Sequence, residues 1–172
     1  MRLFSGKVPI IAEEIVQQLG HEGDVEFDSV PEARLDIEAV LREYLRLERE
    51  VMDEAKRRSE VRGFANPAPI GKVRAQVAKE RGAPPADEIL PYLLNQILQM
   101  LFHSSNVGEV FADDVNLRKK ITAILRRNME VENELDREVR SKIRNLQEGT
   151  ATFELEYSRL MEQLQRSRGL KK

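Results

Sequence analysis

The stretch that most constrains this chain begins at Ser29. Ser29-Val30-Pro31-Glu32 has the form of a helix-opening capping box, in which the Ser hydroxyl accepts from the backbone N–H three residues on and Pro31 suits the first turn. Behind it Ile37, Val40, Tyr44, Leu47 and Val51 recur at alternating steps of three and four, while Arg42, Glu43, Arg46, Arg49 and Glu50 fall mostly outside that series. In an α-helix this spacing draws one apolar stripe between charged flanks, and the stripe has to be covered by another helix. Gly63 and the run Asn66-Pro67-Ala68-Pro69 are expected to end the helix, because proline breaks the ladder and disfavours helix in the residue before it.

The same reading gives the other elements. Ile11, Ile15, Val16 and Leu19 predict a first amphipathic helix from about Val8 to Leu19, and Val25-Glu26-Phe27 alternates as a very short strand does. Ile70 to Arg81 reads as a short basic helix, followed by the hinge-like break Gly82-Ala83-Pro84-Pro85. Asp87 stands where it would cap an apolar helix from Ile89 to Phe102, the expected central core helix, and His103 to Val110 is expected as a loop. Asp113 or Asp114 would cap a second long helix reaching about Gln147, and Gly149-Thr150 separates it from a last helix carrying Phe153, Leu155, Tyr157, Leu160, Met161 and Leu164. Arg166 to Lys172 is expected to fray.

A weak internal repeat links the two halves. At an offset of 84, Ile37-Glu38-Ala39-Val40-Leu41-Arg42 aligns with Ile121-Thr122-Ala123-Ile124-Leu125-Arg126, and Phe27 falls on Phe111. At an offset of 82, Ile15, Gln17, Leu19 and His21 fall on Ile97, Gln99, Leu101 and His103. Because the agreement runs through a loop, where no helical period operates, each half is expected to be short helix, loop, long helix. The stripe then reappears as Ile121, Ile124, Asn128, Val131 and Leu135, with Asn128 its polar member. The fold expected is an all-α bundle of about six helices, divided into an N-terminal half (1–82) with a basic end and a C-terminal half (83–172) that either stand apart or share one core.

Charge is unevenly spread. Ile10 to Glu54 holds fourteen acids against four bases, whereas Ala55 to Gly82 holds eight bases against two acids. Neighbouring acidic and basic surfaces within one fold account for this directly, and a phosphate-binding face is the competing account. The 172 residues contain no cysteine, which removes disulfides, thiolate metal sites and thiol nucleophiles and suits a reducing, cytoplasmic setting. Met1 to Lys7 lacks the apolar stretch of a signal peptide, and no apolar run approaches a membrane span.

No catalytic set emerges. The two histidines, His21 and His103, follow apolar helices in matching repeat positions, so a shared metal site is conceivable but helix-end placement explains them better. Asp113 and Asp114 are better read as caps than as an acid–base pair, and Gly71-Lys72 lacks the other residues of a phosphate loop. The expected function is therefore a non-enzymatic, cofactor-free helical scaffold or protein-interaction module, self-associating through the seam of Ile37, Val40, Tyr44, Leu47, Val51, Ile121, Ile124, Asn128, Val131 and Leu135. The alternative is nucleic-acid binding through Arg57, Arg58, Arg62, Lys72, Arg74, Lys79 and Arg81, and a metal-dependent protein comes last.

Three stretches carry a family resemblance: Met1-Arg2-Leu3-Phe4-Ser5-Gly6-Lys7-Val8 running into Ile11-Ala12-Glu13-Glu14-Ile15-Val16, then Leu35 to Tyr44, and Leu101-Phe102-His103-Ser104-Ser105-Asn106-Val107. They resemble the bacterial family called domain of unknown function 507, over most of the chain. The resemblance implies a helical bacterial cytoplasmic protein and implies no activity, cofactor or catalytic residue.

Overall fold

The computed structural model describes residues 1–61 and 70–171. The helix breakers Gly63 and Asn66 to Pro69, and the basic candidate Arg62, lie outside the described residues. In chain order the elements are α1 (Val8–His21), β1 (Val25–Phe27), α2 (Val30–Val61), α3 (Ile70–Arg81), α4 (Ile89–His103), β2 (Val107–Val110), α5 (Asp114–Met129), α6 (Val131–Lys142) and α7 (Ala151–Ser167). A 3₁₀ turn precedes α1 at Ser5–Lys7 and another precedes α4 at Ala86–Glu88. The described residues form a helical bundle with one two-stranded antiparallel sheet.

The main core is made by α1, α2, α4 and α5 together, with Leu19, Ile37, Leu41, Ile97, Leu101, Ile121 and Leu125 at its centre. Both halves of the chain contribute to it. Five of the six buried residues of α1, Ile11, Ala12, Ile15, Val16 and Leu19, align 82 residues later with buried Leu93, Leu94, Ile97, Leu98 and Leu101 of α4; Val8 aligns with Leu90, which is only partly buried. Between them β1 and β2 pair with Val25 opposite Val110 and Glu26 opposite Glu109. At the aligned offset of 84 residues each of these residues meets the aligned position of its neighbour, a reciprocal pairing that stops at the register shift before Phe27, which lies opposite Val107. The flanking bonds follow suit: the N–H groups of Asp28 and Ser29 donate to the Asn106 carbonyl (2.9 and 3.4 Å), and those of Phe111 and Ala112 donate to the Asp24 carbonyl (2.8 and 3.1 Å). The next element in each half opens on a side-chain cap, from Ser29 Oγ to the N–H of Glu32 (3.4 Å) and from Asp113 Oδ1 to the N–H of Asn116 (2.8 Å). The reciprocal half of the capping box is not made, since the Ser29 N–H is already given to Asn106.

Several expectations change. β2 occupies part of the presumed loop His103 to Val110, held there by its pairing with β1. Asp87 caps nothing: it lies in the 3₁₀ turn, and α4 starts without a side-chain cap. Phe102 is 55% exposed and lies outside the core face of α4. The second long helix is two helices: at Glu130 the chain bends and the N–H of Asn133 returns to the Glu130 carbonyl (3.0 Å), a bond one residue shorter than the α ladder. The bend coincides with a change of core, for Met129 belongs to the main cluster whereas Leu135, Val139 and Ile143 pack with Phe153, Leu164 and Leu170. α6 ends at Lys142, short of Gln147.

Nor does the tail fray in full. Leu170 is buried against Phe4 and α7, the Gly6 N–H and Ser5 hydroxyl both donate to its carbonyl at 3.1 Å, and Gly169 (φ +66°) turns the chain into that contact.

Candidate functional site

α2 is 32 residues long, about 48 Å at 1.5 Å per residue, and only its first part is needed to cover α1 and α4. Its second part lies against α3, through Val51, Ala55, Val73 and Val77. The two helices pack side by side. Salt bridges of both senses join them: Arg74 and Arg81 of α3 bond Glu48 and Glu50 of α2 (3.3 Å each), and Arg58 of α2 bonds Glu80 of α3 (2.7 Å). The Arg58 hydrogen bonds hold the Glu80 and Glu54 carboxyls below their ordinary range.

Between α2, α3 and α4, where Gly82 (φ +70°) and Pro84-Pro85 lead from α3 into α4, lies a cleft of about 800 Å³. It is open because α3 presents Gly71, Ala75, Ala78 and, just beyond its end, Gly82 along one side, residues with too little side chain to fill the space to α4. The opposite wall is apolar and aromatic. Tyr44 and Tyr92 meet there with ring centroids 6.0 Å apart and planes tilted by 50°, beside Val51, Ile89 and Pro91. Tyr44 is 4% exposed, and burial, reinforced by the Glu48 carboxylate, raises its hydroxyl well above the usual phenol range. It stays neutral and able to donate. The Glu48–Arg74 pair and Asn95 supply the remaining polar groups. A concave, mostly apolar cavity with a few placed polar groups is the usual form of a binding site.

Of the seam residues, Ile37, Tyr44, Val51, Ile121, Ile124, Asn128 and Leu135 are buried, while Val40, Leu47 and Val131 are half-buried. The stripe is turned slightly from the one read in the sequence: Leu41, which is fully buried, takes the place given to Val40. These side chains are covered within the one chain, α2 by α1, α3 and α4, α5 by α1 and α4, and α6 by α7. Asn128 donates its amide to the Ile124 carbonyl (2.9 Å) and to Glu14 Oε2 (3.2 Å), which satisfies it in the core.

Among the basic candidates Arg57, Arg58, Arg74 and Arg81 are ion-paired, and Lys72 and Lys79 are exposed on α3. His21 and His103 are exposed; His21 faces Gln17 Oε1 (2.9 Å) and His103 the Gln99 carbonyl (2.7 Å), each within its own helix. Among the described residues no group of three His, Cys, Asp or Glu is placed to hold a metal ion, and no helix is long and apolar enough to cross a membrane. The cleft residues Tyr44 and Val51 were legible in the sequence as seam, but Tyr92, Pro84 and the small face of α3 acquire their role only from the packing of α3 beside α2 and α4.

The family model described as Protein of unknown function (DUF507) matches residues 1–170. The chain belongs to that family. A search of curated proteins found no match. Because the match is nearly end to end, the main core, the α2–α3 pair and the α6–α7 unit all fall within the DUF507 unit.

Proposed function

We propose that this DUF507 protein is a non-enzymatic protein-interaction module of the cytoplasm that receives an apolar segment of a partner protein in the cleft between α2, α3 and α4. The observation that supports it is the cleft's construction. A tyrosine pair and aliphatic side chains face a small-residue helix across an open space, with the Glu48–Arg74 pair and the Tyr44 hydroxyl at hand for backbone groups. A partner side chain of aliphatic or aromatic kind entering there would be buried against the rings, at about 25 cal/mol for each Å² removed from water. Self-association uses this cleft or another exposed surface, because most of the seam is covered within the chain. The reciprocal pairing of β1 with β2 supports descent of the two halves from one ancestral unit of short helix, strand and long helix.

Ala75 is exposed and lines the cleft, so A75W fills it without entering a core. Native complexes recovered with the wild-type chain should lose their partner in A75W, at an unchanged unfolding midpoint. Equal recovery by both proteins overturns the reading, and a monomer by light scattering at about micromolar concentration removes self-association.

A further inference from the structure

A second, larger cleft, of about 1130 Å³, lies on another side of α2 and meets the first at the Glu48–Arg74 pair. One wall is the α2 stripe Leu45, Arg49, Met52 and Lys56; the other is built from residues 1–6 and the chain's end at Gly169 to Lys171, held together by the Gly6–Leu170 contact. Its electrostatics differ from the rest of the molecule. Arg42, Arg74 and Arg166 of the lining are tied to Glu38, Glu48 and Glu162, and Glu132 faces the Met1 amino group at 3.8 Å. Arg2, Arg49, Lys56 and Lys171 form no ion pair among the described residues, and Asp53 is the one lining carboxylate in the same state. Four such cations against one anion leave three positive charges uncompensated in one concavity, on a chain whose formal net charge is −2.

We propose that this cleft binds a phosphate-rich anion. Cations gathered from the N-terminal segment, α2 and the C-terminal segment repel one another across a low-dielectric groove that focuses their field, and an anion with several phosphates relieves that repulsion. The guanidinium groups of Arg2 and Arg49 match phosphate oxygens in pairs, and Lys56 and Lys171 act as point charges. The aromatic ring in the lining, Phe4, is 2% exposed and covered by Arg2 at 5.0 Å, so bases have nothing to stack on. Recognition is of phosphate, without sequence. Of the basic segment of α3, Arg74 reaches the lining, and it is already paired with Glu48.

The chemistry is shared by small polyphosphates and by the backbone of single-stranded nucleic acid, and two probes separate them. Tripolyphosphate is titrated calorimetrically, and a fluorescein-labelled oligothymidylate of about twelve nucleotides by anisotropy, both at roughly 50 mM salt. At least one should bind. R49E/K56E should lower its affinity by about tenfold or more, whereas K72E/K119E, an equal charge change at two exposed lysines outside the cleft, should change it by less than about twofold. R49Q/K56Q, which removes charge without reversing it, should fall between, and unfolding midpoints check that each variant folds. Tripolyphosphate binding alone assigns a small phosphorylated compound. Oligonucleotide binding with a salt slope of about −3, four contacts at about 0.7 each, assigns a nucleic-acid backbone. Binding of neither probe, or equal loss in the two charge-reversed variants, overturns the proposal.

Discussion

Replacing Gly6 by alanine tests whether the two ends of the described chain are locked together. A methyl group at Gly6 would fall 2.6 Å from the Gly169 carbonyl carbon and 2.8 Å from Leu170 Cα, and closer still to the Gly169 oxygen. All three are backbone atoms, so no side-chain rotation relieves the clash; the segments must part by more than an ångström. Parting them weakens the two hydrogen bonds to the Leu170 carbonyl, worth about 0.5–1.5 kcal/mol each, and uncovers part of Leu170 and Phe4, where full burial of one such side chain is worth about 1.5–3 kcal/mol. The expected loss is about 3 kcal/mol. With a urea slope of about 2 kcal/mol/M, the unfolding midpoint should fall by about 1.5 M when followed by far-UV circular dichroism. Gly71 is the control, because nothing lies within 4 Å of the same methyl group there and its helix gains from losing a glycine; G71A should be neutral or stabilise by up to about 1 kcal/mol. A G6A midpoint within about 0.5 kcal/mol of wild type would refute the lock between the segments, and with it the wall of the cationic cleft.

Leu41→Ala should cost about 2–5 kcal/mol in the same denaturation assay, against about 1 kcal/mol or less for Leu47→Ala, because Leu41 is fully buried and Leu47 is half-exposed; equal costs would mean that α2 is rotated from the face described. The Asp136 carboxyl is held below the ordinary carboxylate range by the Tyr157 hydroxyl (2.5 Å) and then by Arg140, so its contribution is present near neutral pH and disappears as acid protonates it below about pH 3.9. D136N should therefore flatten the fall in unfolding midpoint between about pH 5 and pH 2, and an unchanged slope counts against that bond. Gly82→Ala, with open space around its β-carbon but a φ of +70°, should cost about 1 kcal/mol by calorimetry through backbone strain alone; no loss would mean the turn into α4 relaxes freely.

The sequence by itself determined where helices start and what kind of fold they build. Ser29, Asp113 and Thr150 are caps because a short oxygen-bearing side chain meets the unpaired N–H groups of its own first turn, a contact made within four residues. α1 and α3 begin at Val8 and Ile70 as the sequence reading has them, beside Pro9 and after Pro69, and the alignment of Ile37 with Ile121 paired residues that are both fully buried. Tertiary structure decided what depends on distant partners. β2 exists because Val107–Val110 finds β1 across the bundle, and four residues of strand have no local signal strong enough to announce that. The bend at Glu130, without proline or glycine, follows from Met129 and Leu135 belonging to different cores. Likewise the sequence left open whether the basic run of α3 faces phosphate or neighbouring acids, and folding set Arg74 and Arg81 against Glu48 and Glu50 of α2, while Arg2, Arg49, Lys56 and Lys171 come from three separate segments and share a cleft only in three dimensions. Capping and periodicity act over one or two turns and can be read along the chain; charge compensation and cavity shape depend on which distant segments the core brings together.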